Sequence, residues 1–378
     1  MSALRAHAAR DRLARWLGAG EAPAGLVLTG PAAVAWVTGG AGPPVDRSAG
    51  VDLVWAVVTP GGAALITTEV EADRIAEEYQ PARHGFAELV AVPWYRPDEF
   101  VRAAEELAGV PADHLAADGH LAFGVDASAD LISLRMALSD PDQDELRALG
   151  GDAATALEEA LTAWQPGELD LDVQARVAAH LEARGADAPV LIVGGDERVR
   201  RYRHPMAVGA PARHLVMAVV VARRAGLHAA ATRFACAGTM KPELRALRAR
   251  VCRIERDTLA ASRPANSYGQ ALRALDHGYA REGAAGGWAG HYQGGPIGYA
   301  QREFEIAPCQ DDSRWYHKRI EAGHAVAWNP SLPGGAKAED TYLVQPDGVE
   351  RLTTGRSWPV DDGDDLVPPR PAVLELGR

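Results

Sequence analysis

The stretch Gly290-His291-Tyr292-Gln293-Gly294-Gly295-Pro296-Ile297-Gly298-Tyr299-Ala300-Gln301-Arg302-Glu303 constrains this chain more than any other. Closely spaced glycines and a proline let backbone approach something closely, because glycine reaches conformations denied to other residues and carries no side chain. A histidine, an arginine and a glutamate frame that approach. The pattern predicts a binding cleft.

With 378 residues the chain exceeds one ordinary core, so two domains are expected. Arg10 to Leu17 reads as an amphipathic helix, and Gly25 to Thr29 as a short strand. Val34 to Thr38 is a second apolar stretch, ending at Gly39-Gly40. Leu53 to Val58 and Ala63 to Thr67, separated by Thr59-Pro60-Gly61-Gly62, form the clearest hairpin, and helical spacing follows from Glu69 to Tyr79. This order predicts a small mixed α/β domain over residues 1–137.

The second domain is expected over residues 138–360. Ser139-Asp140-Pro141-Asp142 opens a helix, with a cap candidate, an early proline and acidic first-turn residues, and Pro166-Gly167 stops it. Another helix runs from about Asp170 to before Gly185. Pro189 to Gly194 and Leu215 to Val221 read as core strands, and Pro242 to Leu259 and Ser267 to Ala280 as helices. His324 to Trp328 and Asp340 to Val344 are apolar strands beyond the glycine-rich stretch. Residues 361–378, with their acids and prolines, read as a loose tail.

Composition excludes several partners. A formal net charge of −12 opposes nucleic-acid binding, which needs a basic face. No apolar run approaches the roughly 20 residues of a membrane helix. Met1 to His7 lacks an apolar signal core, and Cys236, Cys252 and Cys309 form neither a close-spaced metal pattern nor an even disulfide set. A cytoplasmic protein is expected.

His291-x-x-Gly294-Gly295-Pro296-Ile297-Gly298-Tyr299-x-x-Arg302-Glu303 resembles the glycine-rich signature of the pita-bread superfamily, which includes creatinase, prolidase, aminopeptidase P and methionine aminopeptidase. Other blocks similar to the superfamily's occur in order along nearly the whole chain. The resemblance implies an α/β protein of two domains: a creatinase-like N-terminal domain and a C-terminal pita-bread domain. It also implies a homodimer and a small-molecule or short-peptide substrate.

In the metallopeptidases of this superfamily two Asp, one His and two Glu hold two divalent metals. Gly226 and Thr232-Arg233 fix the frame here, and the first two ligand positions fall on Val219 and Ala230. The histidine position falls on Gly295 and the next glutamate on Asn329, so only Glu339 remains. One carboxylate and an amide cannot offset two dications. No metal and no other cofactor is expected.

Creatinase, a metal-free relative, implies another chemistry. His204-Pro205, fifteen positions before Val219, is similar to the segment that carries its general base. An imidazole near its ordinary pKa of about 6.5 accepts and returns a proton at neutral pH. The resemblance makes His204, His291 and Glu339 the catalytic candidates, with His291 stabilising developing charge. Arg302, Asn329, Arg223 and Tyr299 are the substrate-binding candidates. A metal-independent enzyme acting on a C–N bond is the leading expectation. A non-catalytic protein that binds a peptide or protein partner in the old cleft is the alternative, and an Xaa-Pro metallopeptidase the less favoured third.

Overall fold

The computed structural model describes residues 1–19, 23–40, 45–119, 123–361 and 367–377. They divide into two units, residues 1–142 and 143–378, at a boundary five residues beyond the expected one.

In the first unit, helix α1 (Ser2–Leu17) leads to β1 (Gly25–Leu28), α2 (Pro31–Thr38), β2 (Trp55–Thr59) and β3 (Gly62–Thr68). β4 (Glu88–Val92), α3 (Pro97–Ala108), β5 (Leu115–Ala117), β6 (Val125–Asp126) and α4 (Ser128–Met136) complete it. The six strands form one sheet in the order β4-β3-β2-β1-β5-β6. The expected hairpin is β2–β3, antiparallel with Thr59 opposite Gly62. The apolar stretch at Val34 is a helix: Pro31 presets its first turn, and Gly39 ends it in a left-handed conformation at φ 71°. Under the sheet Trp55 packs on Phe100, ring centres 4.8 Å apart, among Val27, Val57, Ile66 and Leu115.

The helix α5 (Asp140–Thr162) is followed in the second unit by α6 (Asp170–Glu182), β7 (Asp187–Gly195) and α7 (Asp196–Arg201). Next come β8 (Leu215–Arg224), β9 (Leu227–Ala237), α8 (Pro242–Ala261) and α9 (Tyr268–Arg281). β10 (Gly294–Ile297), β11 (Ala325–Trp328), β12 (Ser331–Leu332), β13 (Ala336–Lys337), β14 (Tyr342–Gln345), β15 (Gly348–Arg351) and β16 (Leu374–Leu376) follow. Two four-stranded sheets result, ordered β16-β9-β8-β7 and β10-β11-β14-β15.

The end of the chain departs from the sequence reading. Residues 362–366 and 378 lie outside the described residues, but β16 pairs in parallel with β9 at Ala235–Ala237, and Val373 joins the core beside Phe234 and Cys236. The acids and prolines pointed to a loose tail, yet Val373, Leu374 and Leu376 supply apolar surface. The β9 edge supplies backbone groups that need partners.

Candidate functional site

Strand β9 joins the two sheets of the second unit and thereby assembles the site. It pairs with β8 along its whole length. On its other side the N–H groups of His228, Ala230 and Thr232 donate to Gly298 O, Thr341 Oγ1 and Glu339 O. Successive side chains of extended backbone point to opposite faces. Thr232 therefore meets Glu339 on one face while Arg233 meets Asp340 on the other, in a buried ion pair of 2.8 Å.

Glu339, 2% exposed, is surrounded by donors. Thr232 Oγ1 donates to its Oε2 at 2.9 Å, and Lys337 Nζ lies 3.3 Å from the same oxygen. Asn329 Nδ2 is 3.3 Å from Oε1, and Arg302 Nη2 is 4.0 Å from it. Burial alone pushes the Glu339 carboxyl up. Lys337, then Arg302, and the Thr232 hydroxyl more than offset it and hold the group below its ordinary value. Asn329 Oδ1 is buried with no hydrogen-bond partner among the described residues.

Beside this pair stands His291, at the start of the glycine-rich stretch. Arg203 Nη1 donates to Ser331 Oγ at 2.6 Å, and Ser331 Oγ is 2.6 Å from His291 Nε2. His291 Nδ1 bonds to the Tyr292 carbonyl, which requires the proton on Nδ1 and leaves Nε2 to accept from Ser331. Burial, and next the Lys337 ammonium, push His291 down to about 4, so it is neutral at pH 7. A Cβ on Gly290 would come within 3.2 Å of Arg203 Nη2, so a larger residue there would have to shift that guanidinium by a few tenths of an ångström.

His204 is exposed on the segment after α7, within electrostatic reach of Lys337, Glu339 and Arg203. Partial burial and then Lys337 lower it from its ordinary value, against the pull of Glu339. His204, His291, Glu339, Arg302 and Asn329 are thus drawn to one region around Lys337.

Two expected substrate contacts are not. Arg223 is engaged by Asp187 through two parallel bonds of 3.0 and 2.6 Å, a match of guanidinium fork to carboxylate that occupies it at the far end of β8. Tyr299 is 1% exposed and lies among the core residues.

The residues present do not fit a pair of divalent metals. Val219 packs with Met217 and Phe234 in an apolar cluster, and Ala230 ends in a methyl group, so neither offers a donor. Gly295 adopts φ 146°, a conformation that disfavours a histidine there. Lys337 holds the carboxylate that remains. Among the described residues no three His, Cys, Asp or Glu side chains group as metal ligands would.

Sequence reasoning passed over Lys337, Ser331 and Arg203. The spacing Lys337-Ala338-Glu339 was the available signal, since residues two apart in extended backbone share a face. Arg203 adjoins His204, but nothing in its neighbours announces Ser331 as its partner.

The sequence model of metallopeptidase family M24 matches residues 144–346. No curated protein sequence is significantly similar to this chain. Among solved structures, dipeptidase PepE from Mycobacterium ulcerans is 19% identical, with a TM-score of 0.74, covering 99% of this chain and 97% of its own. The Xaa-Pro dipeptidase from Bacillus anthracis is 17% identical with a TM-score of 0.71, covering 96% and 99%. The prolidase from Pyrococcus horikoshii OT3 is 14% identical with a TM-score of 0.69, covering 92% and 98%. Likeness at these identities establishes the fold: the α/β architecture of two-domain prolidases and aminopeptidases, with the M24 domain C-terminal. Among the described residues no helix is long and apolar enough to cross a membrane.

Proposed function

We infer the function from one premise: the chain belongs to metallopeptidase family M24, yet its site carries an ammonium against the one remaining ligand carboxylate. The reading this supports is a metal-independent hydrolase that cleaves a C–N bond of a small polar substrate. The Lys337–Glu339 pair carries the inference, because it puts fixed positive charge where the fold's relatives hold cations.

His204 takes a proton from water as the water oxygen bonds to the substrate carbon, and gives that proton to the nitrogen as the C–N bond breaks. Water is thereby added across the bond, and the enzyme ends as it began. A base with a lowered pKa is unprotonated at neutral pH, as this role requires. His291, expected to stabilise the developing charge, has its Nδ1 proton committed to Tyr292 and its Nε2 accepting from Ser331. That task passes to the Lys337 ammonium, while His291 orients Ser331. Asn329 Oδ1, buried without a partner, accepts an N–H from the substrate.

One observation favours the binding-only alternative: the His204 ring makes no hydrogen bond to any described residue that would orient it. Turnover of small amide, amidine and cyclic C–N compounds by the wild type and His204→Ala separates the two. Loss of turnover in a folded variant supports the hydrolase. Unchanged turnover removes His204 from the mechanism, and saturable binding without product at any pH supports binding alone.

A further inference from the structure

Next to the His291–Ser331–Arg203 chain lies a cavity of about 260 Å³, small for a ligand site and suited to a compact metabolite. Its wall includes Arg200, Arg201, Arg203 and Lys337, with Tyr202 and Ser331 between them. Lys337, 7% exposed, is committed to Glu339, and exposed Glu197 stands 3.9 Å from Arg200. Arg203 has no carboxylate within ion-pair distance among the described residues, and its Nη1 donates to the Ser331 hydroxyl. Arg201 lies over the Tyr202 ring at 5.3 Å, also without a carboxylate among the described residues. Four basic residues thus line one small space, and two of them, Arg201 and Arg203, have no carboxylate within ion-pair distance among the described residues.

The opposite wall is built to keep that space small. Gly334 and Gly335 both take φ 102°, and a Cβ on Gly335 would come within 3.2 Å of the Val199 carbonyl oxygen. Only glycine lets this loop press against α7. Guanidinium groups bind planar or tetrahedral oxyanions through paired N–H donors, whereas a lysine supplies a point charge.

We propose that this cavity is an anion-recognition site, in which Arg203 and Arg201, backed by Lys337, hold the carboxylate or phosphate of a small substrate beside His291 and Ser331. The proposal rests on the reading of the second unit as a site for small polar molecules, and names the chemical class it takes.

Calorimetric titration of the intact protein with succinate and with inorganic phosphate, at matched ionic strength, tests it. Saturable binding of at least one probe is expected, and the preferred probe identifies the anion as carboxylate or phosphate. Arg203→Gln should weaken that binding at least about tenfold, the loss of one charge-assisted contact. Arg201→Gln, an exposed position that leaves packing intact, should weaken it to a lesser degree. Failure of both probes to bind up to about 10 mM, or affinity unchanged in both variants, overturns the proposal. His204→Ala keeps the two readings apart. Turnover that depends on His204 without anion binding leaves the hydrolase standing and removes the anion site. Arg203-dependent binding without turnover leaves the anion site and removes the hydrolase.

Discussion

A carboxylate as deeply buried as Glu339 must be compensated, and here an ammonium 3.3 Å away does so rather than a dication. Replacing Lys337 with methionine keeps the volume but leaves that carboxylate facing only Thr232, Asn329 and the more distant Arg302. Lys337→Met should cost about 3–5 kcal/mol, the range for breaking a buried pair from one side. Lys337→Met with Glu339→Gln removes both charges and should recover most of the loss. Urea denaturation of the wild type, both single variants and the double variant reads this directly. Strict additivity of the two single losses would mean that the pair is not coupled. Of these residues, Glu339 and Asn329 were legible because flanking motifs fix their positions. Lys337 was not, since a lysine in sequence reads as a solvated side chain until a fold buries it. The burial of Tyr299 was not legible either: a tyrosine beside a glycine-rich turn reads as cleft-lining, and only the folded chain shows it 1% exposed.

Among the elements, the segment between α7 and β8 carries His204 and Arg203, yet it has little regular structure to hold it. Two aspartates do that work. Asp170 Oδ1 accepts the N–H groups of Val208, Gly209 and Ala210 at 3.1, 2.8 and 3.0 Å, and the residue is completely buried. Asp196 accepts those of Arg213, His214 and Leu215 at 2.6, 2.8 and 2.9 Å. Asp170→Ala strands three backbone donors and should destabilise the unit by about 1–3 kcal/mol, more if none of them reaches water. Hydrogen exchange should speed up at residues 208–210 before it changes in α5. Faster exchange spread evenly over the whole unit would mean that Asp170 holds the core rather than the segment. The strands and helices themselves were legible, because period and cap residues are local, as in the β2–β3 hairpin and the proline-led α8. The anchoring aspartates were not: each reads as a first-turn helical acid, and the loop amides they bind become neighbours only in the folded chain. β16 was missed for a related reason, since its partner edge lies more than a hundred residues away in sequence.

At the scale of the molecule, the two-unit organisation follows from length and from motifs spread along the chain, whereas the fate of the metal site depends on charge gathered from distant segments. Glu339 comes from beyond β13, Arg302 from the loop after β10, and the donorless Val219 and Ala230 from β8 and β9. A divalent ion entering this region would meet Lys337 and Arg302 with a single carboxylate to balance them. Like charges repel by about 4 kcal/mol at 4 Å for an effective dielectric of 20, and each such term opposes binding. Incubation of the purified protein with manganese, cobalt or zinc, followed by desalting, should therefore leave well under one equivalent of metal. Ligand binding to the native state raises its stability in proportion to the logarithm of ligand concentration over Kd, so the melting temperature should also be unmoved by added metal or by a chelator. Stoichiometric retention with a metal-dependent rise in melting temperature would mean that Lys337 yields Glu339 to a cation. The metal-independent reading would then give way to an M24 peptidase with an altered ligand set.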